Sequence, residues 1–318
     1  MPLTKYKVKQ LLKRVPGIEI IYSLYMTIRS LLWSFRNPLN PFLRDAHPGH
    51  FYSPIPDINY IRSQRNNIFI TNKLSCTGIE MDPDKQLSLV EKFESYYGQF
   101  PFPENERKGI RYYLKNPYFG HGSSIVLYSV LRHFKPRQIV EVGSGFSSAV
   151  MLDVNDLFFS GGIKLSFIEP YPARLYSLMN EKDKASHDIF VDVVQNVPRS
   201  AFSELNENDL LFIDSSHVAK VGSDVVLLIT EILPLLKKGV IIHIHDIYWP
   251  FEYPENWVLS GKAWNEAYLV KAFLQFNTSF EILLFNSYLT LHHREHMKKY
   301  LPGFIPDGGG SLWIRKIA

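Results

Sequence analysis

The sequence predicts an α/β protein built on a mostly parallel seven-stranded sheet with helices on both faces. Three observations carry this. From about Gly122 onwards, short apolar runs alternate with helical patterns, the order that buries a parallel sheet between helices. The runs are continuously apolar, as strands covered on both faces should be. The first of them passes directly into a glycine turn, Gly143-Ser144-Gly145, and then into a helix.

The elements follow in order. A helix over Ser123 to Phe134 precedes the first strand, Gln138 to Val142, and a helix from about Ser147 to Leu157 follows the glycine turn. The second strand, Lys164 to Ile168, ends at Glu169, with a helix over Ala173 to Asn180 behind it. The third, Asp188 to Val191, precedes Asp192. The fourth, Asp209 to Ile213, ends in Asp214, and Val225, Leu228, Ile229 and Ile232 share one face of the next helix. The fifth, Gly239 to Ile244, ends in His245-Asp246. Phe280 to Phe285 and Ser311 to Ile314 are separated by a long, irregular connection and are expected to pair as an antiparallel hairpin at the sheet edge. The whole is Rossmann-like.

Residues 1–100 read as a helical or irregular extension and residues 101–318 as the main domain. Prolines 38, 41, 48, 54 and 56 interrupt the extension, and Gln86 to Tyr97 forms an amphipathic helix. The basic stretch Lys5, Lys7, Lys9, Lys13 and Arg14 precedes an apolar run, Ile18 to Trp33. That order imitates a signal peptide, but Glu19 and Arg29 interrupt the run and no small-residue cleavage site follows. The run is also short for a membrane span of roughly 20 residues. The expectation is an amphipathic helix that packs on the body or on a second subunit, giving a homo-oligomer, or that makes peripheral contact with a membrane.

Composition is ordinarily globular across the 318 residues, at 46% hydrophobic and 21% charged. A net charge of +4, with no basic face in the main domain, argues against a nucleic-acid partner. One cysteine, Cys76, excludes an internal disulfide and fits a reducing, cytoplasmic setting, at the inner membrane surface if the N-terminal helix docks there.

Glycines 143 and 145 permit a tight turn and close approach of a ligand to backbone. The spacing G-x-G-x-x-S ends at Ser148, one glycine short of a dinucleotide fingerprint. Glu141 stands two residues before the first glycine, where it repels a pyrophosphate and attracts an ammonium or sulfonium. Acidic-x-Gly-x-Gly after the first strand resembles motif I of the class I S-adenosylmethionine-dependent methyltransferases. Ser147 stands where that motif often has a third glycine. The resemblance assigns Glu141, Gly143, Ser144, Gly145 and Ser147 to the methionine end of S-adenosylmethionine, Glu169 to the ribose hydroxyls, and Asp192 with Gln195 to the adenine edge. The stretches Phe212 to His217, His245-Asp246-Ile247 and Gly310 to Ile314 are similar to a bacterial group near the sugar and natural-product O-methyltransferases. That resemblance covers roughly Gly120 to the C-terminus and implies a small-molecule or carbohydrate acceptor.

Ligands of open α/β sheets sit beyond the carboxyl ends of the strands, so Asp214, His217, His245 and Asp246 should converge. A histidine of near-neutral pKa can take the proton of an acceptor hydroxyl; His217 is the first candidate, His245 the second, with Asp214 beside them. Alternatively Asp214 and Asp246 hold a divalent metal, although nitrogen in place of a hard oxygen at His245 weakens magnesium. His243 reads as a satisfied core histidine, and His292 and His293 carry no spacing signal. The aromatic loop Trp249, Phe251, Tyr253, Trp257 and Trp264 either stacks on an acceptor or packs onto the sheet. A nicotinamide-dependent oxidoreductase and a non-catalytic binding protein on the same fold remain as alternatives.

Overall fold

The computed structural model describes residues 45–318 together with Ile21, Leu24, Tyr25, Thr27, Ile28, Arg29 and Leu32. The basic stretch over 5–14 and much of the apolar run lie outside the described residues. Two compact units divide the chain, residues 1–64 and 65–318. Residues 65–100, grouped by sequence with the extension, fall in the second unit. The helix Pro83–Tyr97 explains this: its Leu89, Val90 and Phe93 join the same hydrophobic core as the sheet.

The strands are β1 (Gln138–Val142), β2 (Lys164–Ile168), β3 (Asp188–Phe190), β4 (Leu210–Ile213), β5 (Ile241–His245), β6 (Phe280–Phe285) and β7 (Ser311–Lys316). They form one sheet in the order β3-β2-β1-β4-β5-β7-β6. β1 to β5 run parallel, and β7 pairs antiparallel with both β5 and β6. The expected antiparallel pair is therefore present. β7, however, is an inner strand, and the connection between β6 and β7 contains the helices Asn286–His292 and Arg294–Tyr300. Those helices place Leu289 and Met297 in the core, which the proline- and histidine-rich sequence of the segment concealed.

Side chains pin the ends of the parallel strands. Asp209 accepts from the backbone N–H of Arg137 and Gln138, both at 2.9 Å, which fixes where β1 begins relative to β4. Asn155 closes the helix Phe146–Phe159 onto β2 by donating to the Ile163 carbonyl and accepting from its N–H, both at 2.9 Å. The chain order reverses between β1 and β4, where strands leave the middle of the sheet in opposite directions. A crevice opens at such a switch point.

One buried ionic cluster fastens the segment before this crevice. Arg111 reaches Asp153 at 2.7 Å, Asp183 at 2.7 Å and the more exposed Asp156 at 2.8 Å. Asp153 also accepts from the N–H groups of Arg111 and Tyr112. Removing the guanidinium leaves two carboxylates buried without a counter-charge. Replacing Arg111 by Ala should therefore cost about 3–5 kcal/mol, read as a shift in the urea unfolding midpoint. An unchanged midpoint would contradict this role for the cluster.

Candidate active site

The crevice lies beyond β1, β2 and β4. One part, about 390 Å³, is lined by Gly143, Glu169, Val193, Gln195, Asp214 and Lys220 among others. A second part, about 210 Å³, shares Gly143, Glu169 and Asp214 and adds Tyr118, Ser144, Gly145 and Arg174. Gly143 has φ +83°, and a Cβ placed on it would sit 1.8 Å from the carbonyl oxygen of Asp214. Only glycine allows the two strand ends to close here.

Glu141 was expected to face the ligand. Instead it is fully buried, and its two oxygens accept from the hydroxyls of Ser147, at 2.5 Å, and Ser148. Burial pushes its pKa up to about 8, against the pull of those hydroxyls. It lines neither part of the crevice, because its side chain points back under the glycine turn. Ser148 in turn accepts from the N–H of Gly145, so Glu141 organises the turn from below. The hydroxyls of Ser144 and Ser215 are buried without a partner, and both residues line the smaller part.

Glu169 borders both parts. Its oxygens accept from the N–H of Ser144 at 3.0 Å and of Tyr171 at 2.8 Å, which ties the ends of β1 and β2 together. Gln195 lines the larger part and donates to the Gly222 carbonyl at 2.7 Å. Asp192 does not line it: this carboxylate accepts from Val193 N–H and the Asn196 amide, and so holds the turn that carries Gln195. Arg174, which sequence reasoning passed over, lies over the Tyr118 ring at 3.8 Å and lines the smaller part.

The four residues expected to converge do so. His217 Nε2 lies 3.3 Å from Asp214 and 3.8 Å from Asp246, and His245 Nε2 lies 3.6 Å from Asp246. His217 Nδ1 is hydrogen-bonded to Glu266 at 2.9 Å. Glu266 is fully buried at the start of the helix Glu266–Leu274 and left no sequence signal, since it stands 49 residues from its partner. His217 and Asp246 both adopt left-handed backbone, at φ 61° and 57°, a conformation that needs surrounding contacts to hold it.

Charge is distributed unevenly in this cluster. Burial opposes a charged imidazole at His217, but the hydrogen bonds to Asp214 and Glu266 outweigh it and raise the pKa to about 10. His217 is thus an imidazolium at neutral pH, not the near-neutral base expected. Burial also pushes Asp214 up, yet His245 and His217 overcome this and hold its carboxyl below the ordinary value. Asp246 moves the other way: burial raises it, and His245 offsets that only in part.

Among the described residues, no group of three or more His, Cys, Asp or Glu side chains is arranged to hold a metal ion. The space between Asp214 and Asp246 is taken by the charged His217 nitrogen. This donor set does not fit the divalent metal proposed on those two aspartates. His243 is buried against Phe212, with ring centroids 3.9 Å apart, and its Nε2 meets His245 Nδ1 at 3.2 Å. It is a core residue whose Nδ1 lacks a partner. Trp249, Phe251 and Tyr253 are core residues too, whereas Trp264 lies against His217 with centroids 4.3 Å apart.

Comparison with known proteins places this site in a family. Residues 140–247 match a family model described as a methyltransferase domain. Over 164 residues the chain is 35% identical to an uncharacterized protein of the archaeon Archaeoglobus fulgidus, a match that covers 51% of this chain and 74% of that one. The chain belongs to the class I S-adenosylmethionine-dependent methyltransferases. Among solved structures, a Podospora anserina methyltransferase bound to S-adenosylhomocysteine matches with a TM-score of 0.39 and 15% identity, over 76% of this chain and 91% of that one. The O-methyltransferase TomG of Streptomyces achromogenes, involved in tomaymycin synthesis, matches with a TM-score of 0.39 and 13% identity, over 76% and 92%. Membership decides against the nicotinamide-dependent alternative.

The buried glutamate of this methyltransferase has a measurable signature. The folded state prefers Glu141 protonated, so its contribution to stability is complete below the unfolded pKa near 4.5 and is lost as pH rises through about 8. The melting temperature should fall from about pH 5 to about pH 8 more steeply than that of Glu141→Gln. His217 adds a loss of the same sign in both proteins, so the difference between them isolates Glu141. Parallel curves would show that Glu141 is ionised throughout.

Proposed function

We propose that the enzyme methylates a hydroxyl oxygen of a small-molecule or carbohydrate acceptor. Bound S-adenosylmethionine supplies an electrophilic methyl group on a cationic sulfonium. The two-part crevice suits this ligand in chemistry: an acidic residue at its centre, unpartnered hydroxyls and an arginine at one end, and an amide at the other. Glu169 accepts from ribose hydroxyls, Gln195 reads the adenine edge and Asp192 positions its turn. Gly143, Ser144 and Gly145 bring backbone against the methionine end, and Ser147 acts by holding Glu141.

The counter-charge to the sulfonium is Asp214, not Glu141. Asp214 lines both parts of the crevice, its side chain is 32% exposed, and His245 with His217 keeps it ionised. The proton of the acceptor hydroxyl passes to Asp246, whose raised pKa makes it the stronger base of the two carboxylates. His217, held charged by Glu266, keeps both aspartates in place, and His245 stands 3.6 Å from Asp246 on the other side. Transfer then forms the oxygen–carbon bond as the sulfur–carbon bond breaks. The catalytic unit proposed is residues 65–318, extending the expected 101–318 by the helix that shares its core.

An aromatic cleft of about 260 Å³ begins two residues beyond Asp246. Tyr248, Trp249 and Tyr253 line it, together with Glu252, Ser287 and Asp307. Such a wall of rings with polar groups at its rim suits a flat or sugar-like acceptor and disfavours an anionic one. The observation that carries the whole reading is the Asp214 carboxylate lining both parts of the crevice, with His217 and Asp246 clustered beside it.

Three measurements test it. With radiolabelled S-adenosylmethionine and a panel of hydroxylated acceptors, Asp246→Asn should lower kcat by about 10²–10⁴-fold while calorimetric affinity for the methyl donor is kept. Asp214→Asn should weaken that affinity instead; the reverse pattern would exchange the two roles. The rate should rise with pH as Asp246, its pKa raised by burial, ionises, and should fall as His217 loses its proton near pH 10. A rate that climbs through neutral pH with an imidazole-like midpoint would restore His217 or His245 as the base.

A further inference from the structure

The described part of the N-terminal unit has a feature that methyl transfer does not use. Ile21, Leu24, Tyr25, Ile28 and Leu32 are all helical, and all are exposed, from 48% at Ile28 to 62% at Ile21. Their spacing of three or four residues puts them on one face. A helix that leaves such a face in water has a surface waiting for an apolar partner. In the same unit, Phe51 and Tyr52 are 81% and 74% exposed, with ring centroids 4.2 Å apart.

Charge selects the partner. Residues 1–44 contain eight Lys and Arg against one acid, Glu19. The whole chain is only +4, so the remainder is net acidic. A second copy would bring one strongly basic segment against another. An anionic lipid surface would instead meet the apolar face with hydrocarbon and the basic residues with phosphate. Exposed aromatic rings suit the headgroup boundary. The apolar run Ile18 to Trp33 is shorter than the roughly 20 residues a span needs and is interrupted by Glu19 and Arg29, so the face would lie in the interface and not span it.

We propose that the face formed by Leu24, Tyr25 and Ile28 docks this methyltransferase peripherally on an anionic lipid bilayer, with the basic segment before it supplying electrostatic attraction. The full chain should sediment with vesicles of equal parts phosphatidylcholine and phosphatidylglycerol and not with phosphatidylcholine alone. Binding should weaken with added salt, because screening shortens the range of that attraction to about 8 Å at physiological ionic strength. The double variant Leu24→Glu, Ile28→Glu should lose at least about tenfold in vesicle affinity, since apolar burial and anionic charge both work against it. The same variant should bind S-adenosylmethionine like the wild type, which shows that it is folded. No binding to anionic vesicles, or equal binding by wild type and variant, overturns the proposal. So does a variant that turns a dimer into a monomer in sedimentation velocity with vesicle binding unchanged, because the face would then be a subunit interface.

Discussion

The site depends on one close approach of backbone to backbone. The turn after β1 runs so near the end of β4 that Gly143 has no room for a side chain beneath the Asp214 carbonyl. The Asp214 N–H donates to Val142 at 2.8 Å, and the Gly143 N–H to Ile168 at 3.0 Å, so three strand ends are laced together at one point. That contact puts the Asp214 carboxylate over the glycine turn, and Asp214 in turn orders the charges around it. A wider turn would leave the same residues without a shared focus.

The two acids that frame this turn behave oppositely because their surroundings differ. Glu141 is enclosed under the loop with two hydroxyls, and desolvation dominates. Asp214 stands at the mouth beside two imidazoles, and their charge dominates. Linear order made Glu141 the apparent ligand for a cation; packing buries Glu141 and leaves Asp214 on the wall of the crevice. Glu141 instead holds the serines that shape the loop.

Much of the fold was legible because burial on both faces leaves a simple mark. β1, β2 and β6 begin and end at the residues where their apolar runs do. The placing of the glycine turn, Glu169 and the Asp/His ends of β4 and β5 was legible too, since parallel strands bring their carboxyl ends to one edge of the sheet. The position of β7 was not, because strand order depends on contacts between distant segments. Nor was Glu266, whose meaning rests on a single hydrogen bond to a histidine far back in the chain. The proton state of His217 was hidden for the same reason: it is set by acids that come from three separate elements.

The place of β7 has a consequence for how the molecule is made. β5 and β6 are adjacent in chain order, yet each pairs with β7 and not with the other. A ribosome delivers both strands well before the residues that join them. Until synthesis has passed Lys316, the nascent sheet carries an open seam beside β5, with unpaired backbone and apolar side chains such as Ile242 and Ile244 along it. Exposed strand edges of that kind attract other chains. Pairing of β7 on both sides closes this seam from the inside.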